Sequence, residues 1–209
     1  NKAQTTRHRI FGILNHEDYQ IVFSDTPGII QPAYALQESM MKFVSSAFED
    51  ADVFIYLVEP KDHNLKDEKF LIRLQETKTP VLLVINKIDT LDQDALEVEN
   101  AFWTEKLPNA EVVPISALNK FNTDYLLKRF VELIPVSPAY YDKDAITDKP
   151  ERFFVNEKIR EKILMHYKKE IPYSVEVITE SFDEEPHIIK IRSIIMVERT
   201  SQKGIIIGH

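Results

Sequence analysis

Three short polar motifs each follow an apolar run in this chain: Asp25-Thr26-Pro27-Gly28 after "YQIVFS", Asn86-Lys87-Ile88-Asp89 after "PVLLVI", and Ser116-Ala117 after "AEVVPI". The residue types suggest a chemistry. An aspartate at the end of a strand can hold a magnesium ion, commonly through water, against nucleotide phosphates, which assigns Asp25. The nearby Gly28 lets a backbone N–H approach a terminal phosphate, because no Cβ intervenes. A carboxylate facing the N1–H and exocyclic amine of a purine selects guanine over adenine, a role for Asp89, with Asn86 and Lys87 bracing the base and its neighbouring loop. The backbone N–H of Ala117 would meet the guanine oxygen, and Ser116 would set the turn. Thr26, Pro27, Ile29 and Ile88 complete the nucleotide-lining set. Each motif alone reads more readily as a plain turn or a helix cap. All three in this order, each beyond a strand's carboxyl end, read as one ligand site.

The elements that must position these motifs alternate over the first 135 residues. Helical spacing places Leu36, Met40, Val44, Ala47 and Phe48 on one face, and Phe70, Leu71 and Leu74 on the apolar side of "LKDEKFLIRLQET". "DALEVENAFWTEKL" and "DYLLKRFVELI" are further helices. "DVFIYLVEP" is a buried-strand candidate, and "PVLLVINKID" is a nearly continuous apolar strand. Strands buried on both faces and separated by helices predict an α/β domain, a doubly wound, mostly parallel sheet, over 1–135. Residues 136–150 are proline-rich and without clear period, and are expected to be a linker. From 151 to 209 the pattern is a helix with Val155, Ile159, Ile163 and Tyr167 in register, two strands joined by the acidic turn "DEEP", and a glycine-bearing loop, "KGIIIGH".

Composition narrows the classes. The 209 residues contain no cysteine, so a disulfide scaffold, a thiolate metal site and a cysteine nucleophile are excluded. No apolar run reaches the ~18 residues that span a bilayer, and the expectation is a cytoplasmic protein. The net charge of −8 argues against tight nucleic-acid binding by the chain as a whole. From Pro150 onward, however, ten basic residues balance ten acidic ones, so the net negative charge lies entirely in the first part. Lys190, Arg192, Arg199 and Lys203 gather near the end of the neutral part.

"DTPG", "NKID" and "SA" resemble the third, fourth and fifth motifs of guanine-nucleotide-binding GTPases, and "QTTRHR" resembles their second, the switch I loop. That resemblance implies a magnesium ligand at Thr6, with Thr5 the alternative position, and places Thr6, Asp25 and Gly28 around the reacting phosphate. The first motif is missing: the chain holds no G-x-x-x-x-G-K-[ST]. The expectation is that a first strand and phosphate loop belong just upstream of Asn1, and that these 209 residues alone are inactive. Ile29 stands where Ras-like enzymes carry a water-positioning glutamine. His8 or Arg7 could contribute to hydrolysis, although a surface or RNA-facing role is the plainer reading of both.

The second part resembles the opening of a type II KH domain, which clamps single-stranded RNA with a G-x-x-G loop. Gly208 would be its first glycine and His209 its first variable position, with Lys203 and Gly204 leading in and Arg199 adding phosphate attraction. The order of the two domains, with "KAQTTRHR", "ITDKPERFF", "IREKI", "IPYSV" and "VERTSQKGIIIG", is similar to the Era family of bacterial GTPases. This resemblance implies GTP or GDP with Mg2+ as cofactor, hydrolysis as a switch, and 16S ribosomal RNA and the 30S subunit as partners. It further implies a role in small-subunit assembly, possible peripheral association with the inner membrane, and no DNA. The competing readings are an RNA-binding assembly module with a degenerate nucleotide domain, and a double-GTPase relative ending in a KH-like domain.

Overall fold

The structure is a computed structural model and describes residues 6–63 and 68–208. The chain opens with an antiparallel hairpin. β1 (Ile10–Asn15) pairs with β2 (Gln20–Asp25) in a register running from Asn15 opposite Gln20 to Ile10 opposite Asp25. β2 was legible as an apolar run. β1 was not, because "IFGILN" is interrupted by Gly12, and its strand character comes from pairing.

A parallel sheet follows, with β3 (Phe54–Val58), β4 (Val81–Ile85) and β5 (Ala110–Pro114) in spatial order β3-β4-β5. All five residues of β4 are buried. Val81, Leu83 and Ile85 enter one core cluster with Leu71 and Leu74 of α2 (Glu68–Glu76) and Trp103 of α3 (Gln93–Lys106). Leu82 and Val84 enter another with Ile21 of β2 and Phe130 of α4 (Thr123–Leu133). A strand covered on both faces needs apolar side chains at every position, which explains the unbroken run "VLLVI". α1 (Ala35–Asp50) packs Met40, Met41 and Val44 against Phe70. Asp92 caps α3, its carboxylate accepting from the Ala95 N–H at 2.9 Å. The expected α/β domain is present. Among the described residues, however, its parallel sheet has three strands, and the hairpin forms a separate ladder.

The second part begins with α5 (Glu151–His166) and a 3-10 turn, Ile171–Tyr173. β6 (Val175–Glu185) and β7 (Ile188–Val197) form an antiparallel ribbon. Its buried face, Val175 and Val177, packs with Ile163 of α5. The segment expected to be a glycine loop is instead mostly helix, α6 (Thr200–Ile207). The three isoleucines look strand-like, but Gln202 Oε1 accepts from the Arg199 N–H at 3.0 Å and starts a helix.

Residues 136–150 contain neither helix nor strand, yet much of this segment is bound along β1. The Ile13 N–H donates to the Ile146 carbonyl at 2.9 Å, Asn15 Nδ2 to the Ala145 carbonyl at 2.8 Å, and the Phe11 N–H to Asp148 Oδ1 at 2.9 Å. Gln20 accepts from the N–H groups of Tyr140 and Tyr141 and donates to the Tyr141 carbonyl. Among the described residues, no helix is long and apolar enough to cross a membrane.

Candidate functional site

The parallel register aligns Val58, Ile85 and Pro114 at one end of the sheet. The loops beyond that end are tied together by backbone bonds. The Asn86 N–H donates to the Val58 carbonyl at 2.9 Å, the Ile115 N–H to the Ile85 carbonyl at 2.8 Å, and the Ile88 N–H to the Ile115 carbonyl at 3.2 Å. Asn86 Oδ1 accepts from the Ala117 N–H at 3.0 Å and from the Lys87 N–H at 2.8 Å. Ser116 Oγ, buried, donates to Asp89 Oδ1 at 2.5 Å and accepts from the Asn119 N–H at 3.2 Å. The two loops expected at a base are thus joined through three side chains, Asn86, Asp89 and Ser116. Asp89, in the 3-10 turn Ile88–Thr90, is oriented by Ser116 and exposed to solvent.

Two details differ from the simplest reading. The Ala117 N–H, assigned to a base oxygen, donates to Asn86 Oδ1. Lys87 adopts a left-handed backbone conformation, with φ 67°, which is uncommon outside glycine. Its Nζ meets Glu59 Oε1 at 2.6 Å. Glu59 was missed in the sequence. Its signal was position, since it directly follows β3 at the same sheet end as Asn86.

Asp25 ends β2, and Thr6 Oγ1 donates to its Oδ2 at 3.3 Å. Asp25 opens to solvent on one side and is walled by protein on the other. Loss of hydration raises its carboxyl above the ordinary value, and the Thr6 bond offsets part of that shift. Gly28 is exposed, and a Cβ built there would meet nothing within 4 Å. Pro27 is buried, and Ile29 packs against the Met40–Val44 cluster of α1, with no hydrogen-bonding group to offer a water. A cleft of about 1850 Å³ lies between the hairpin and β3, and Asp25, Gly28, Glu59, Asn86 and Lys87 all line it. Asp89, Ser116 and Ala117 sit outside its lining. Thr5 lies outside the described residues.

Arg7 is neither on the surface nor facing a partner. It is buried and bonded to the backbone of residues 172, 173 and 175, so the plainer sequence expectation is corrected. His8 is exposed, with its ring 6.2 Å from that of Phe43 and 5.8 Å from that of Phe153.

Of the expected RNA-side residues, Lys203 and Gly204 lie within α6 rather than in a loop. Gly208 ends α6 with φ 77°, a conformation suited to glycine, and its N–H bonds the Gly204 carbonyl at 3.1 Å. His209 lies outside the described residues.

A family model described as 50S ribosome-binding GTPase matches residues 1–87, and a KH domain model matches residues 170–209. A crystal structure of Era in complex with MgGDPNP and nucleotides 1506–1542 of 16S ribosomal RNA matches with a TM-score of 0.89 and 33% identity, covering 98% of this chain and 71% of that one. The chain belongs to the Era family of GTPases. An Aquifex aeolicus Era variant bound to GDP·AlF4− matches with the same TM-score at 32% identity, again over 98% and 71% of the two chains. Elongation factor SelB of Methanococcus maripaludis, with a GTP analogue, shares the fold alone, at 19% identity, a TM-score of 0.52, and 68% and 31% coverage. This Era-family chain therefore carries a GTPase domain followed by a KH domain.

Proposed function

We propose that this chain belongs to an Era-type switch that binds GTP and GDP with Mg2+, hydrolyses GTP, and binds 16S ribosomal RNA in assembly of the 30S subunit. The observation that carries the reading is the pair of cross-tied loops, Asn86–Asp89 and Ser116–Ala117, at the sheet end that also lines the Asp25–Gly28 cleft. Asp89 would accept from a guanine's N1–H and amine, held in aim by Ser116. Asn86 would keep the two loops in register, and Lys87 would lie along the base, anchored by Glu59.

The Thr6 hydroxyl and Asp25 carboxylate are hard oxygen donors on adjoining segments, and they fit a magnesium ion shared with phosphates. When bound, the ion would neutralise charge on the transferring phosphoryl group. Gly28 would present its N–H to that group, and Ile29 would leave the attacking water to be oriented by other groups.

The two matches point to different subunits, 50S for the GTPase family and 16S RNA for the solved complex. The solved complex favours the small subunit, because its match also covers the KH part. The division at 135 and 150 belongs to the same reading, supported by the absence of helix and strand from 136–150. So does a cytoplasmic location with peripheral contact at the inner membrane.

The sequence holds no G-x-x-x-x-G-K-[ST], so we expect these 209 residues alone to bind GTP weakly and not to hydrolyse it. Displacement of a fluorescent guanine nucleotide tests the proposal on protein expressed from its complete reading frame. GDP and GTP should displace it in the presence of magnesium, and ATP should not. Equal displacement by ATP would overturn the reading. No binding at all would favour an RNA-binding module whose nucleotide domain is only a scaffold.

A further inference from the structure

The loop that follows β3, residues 59–63, meets the base site at its start and α3 at its end. Glu59 Oε1 accepts from Lys87 Nζ at 2.6 Å. The loop then turns sharply. The Asp62 N–H donates to the Glu59 carbonyl at 3.2 Å, and Lys61 has φ 65°. Beyond the turn, Glu99 of α3 engages the loop with both oxygens: Oε1 accepts from the Lys61 N–H at 2.8 Å, and Oε2 pairs with His63 Nε2 at 2.9 Å. Glu99 is 4% exposed, and an apolar side chain would be easier to bury at that place in the helix. The His63 ring stacks on Phe102, with centroids 3.9 Å apart. The helix itself is fixed to the sheet by fully buried Trp103, whose ring meets Tyr56 of β3 edge-on at 5.8 Å. Two lysines with left-handed backbone, Lys61 and Lys87, thus stand at the two ends of one path, and each is held by a glutamate. Such backbone is costly outside glycine and persists only where neighbours fix it.

We propose that Glu99 is a positioning residue for guanine recognition: it fixes the 59–63 loop on α3 and, through Glu59, sets where Lys87 Nζ stands beside the base. This rests on the function proposed above, since it requires guanine at the Asn86–Asp89 loop. Asp92, which caps α3, follows Asp89 closely in the chain. One helix therefore carries the loop that holds Asp89 at its start and the residue that holds the Glu59 loop further along, and it keeps the two at a fixed separation. Without Glu99, the Lys61 N–H and the His63 ring lose their buried partner, and the left-handed turn is free to relax. Glu59 then moves off Lys87, and the Lys87 ammonium is drawn towards water rather than laid along the base.

The test is isothermal titration of MgGDP into protein expressed from its complete reading frame. Glu99→Met removes both bonds at nearly unchanged length, and should weaken GDP binding roughly fivefold, within the range of one lost hydrogen bond. Glu99→Gln keeps an oxygen for the Lys61 N–H and an amide for His63 Nε2, so it should bind within about twofold of wild type. Glu59→Met should weaken GDP by itself. Adding Glu99→Met to it should cost less than about twofold more, because the path is already cut. His63→Phe keeps the stack on Phe102 and loses only the nitrogen, and should weaken GDP at least about twofold. It takes the place of Glu99→Met, alone and with Glu59→Met, if that variant loses its fold by circular dichroism. Wild-type affinity in the folded variant, or in Glu59→Met, overturns the proposal. So does an undiminished loss in the Glu59→Met background, which would make Glu99 a support of the helix alone, and so do equal losses in Glu99→Met and Glu99→Gln. In each of these cases GDP binding by the wild-type protein leaves the proposed function in place. Failure of the wild-type protein to bind GDP overturns the proposed function, and the role of Glu99 with it.

Discussion

Replacing Gln20 with methionine keeps the length of the side chain and removes four hydrogen bonds. Gln20 Oε1 accepts from the N–H groups of Tyr140 and Tyr141 at 2.9 and 3.0 Å, and Nε2 donates to the Tyr141 carbonyl at 2.9 Å and to Asn15 Oδ1 at 2.7 Å. Three of these bonds reach the connector backbone. At roughly 0.5–1.5 kcal/mol net each, and with water replacing part of the loss at a half-buried position, the connector should be held less tightly by about 2 kcal/mol. That corresponds to roughly 30-fold faster native-state hydrogen exchange at Tyr140 and Tyr141. A smaller acceleration is expected at Ile13, whose N–H bonds the Ile146 carbonyl. The amides of Leu83 and Ile85, in the fully buried central strand, should not change. Exchange at Tyr140 and Tyr141 equal to wild type would refute the claim that Gln20 holds the connector to the hairpin.

Two further substitutions separate structural from functional roles. Folding raises the Asp25 pKa, so the folded chain disfavours the charged form. Asp25→Asn should therefore raise the melting temperature at pH 7 without nucleotide or magnesium, and the gain should shrink as pH falls through the carboxyl range, where wild-type Asp25 is itself neutral. A lower melting temperature at pH 7 would contradict the burial argument. Gly204 lies inside α6, and a Cβ built there meets nothing within 4 Å, so Gly204→Ala should stabilise that helix by about 1 kcal/mol, measured by hydrogen exchange at its amides. If Gly204 also lets RNA approach the backbone, the same variant should lose RNA affinity in an anisotropy titration, and unchanged affinity would remove Gly204 from the RNA surface.

The parallel sheet and its motif loops were legible because β4 is covered on both faces and therefore has no polar position, so "PVLLVI" announces a strand and "NKID" its exposed end. β1 and the connector were not legible for one shared reason. Their order comes from partners elsewhere in the chain, β1 along β2 and the connector through Asn15, Gln20 and backbone groups of that hairpin, and such pairing leaves no period in either segment. α6 was obscured by Ile205, Ile206 and Ile207, whose β-branched shape favours strands, while the capping role of Gln202 outweighed that preference. In the candidate site, Asp25, Asn86, Asp89 and Ser116 could be proposed from type and spacing. Glu59 and the burial of Arg7 could not, because both depend on partners far away in sequence.

The central claim is that Asp89 reads a guanine base, and nucleotide affinity of the Asp89→Asn variant tests it most directly. On protein from the complete reading frame, isothermal titration with GDP and with xanthosine diphosphate, both with magnesium, should show opposite changes. A charge-assisted hydrogen bond contributes roughly 1.5–3 kcal/mol, and Asp89 is assigned two to guanine, so GDP affinity should fall at least about tenfold. Xanthosine diphosphate should bind more tightly than it does to wild type, because the amide can donate to the additional carbonyl of xanthine. Unchanged GDP affinity in a folded variant would remove Asp89 from the base site and, with it, the reading that the cross-tied loops hold guanine.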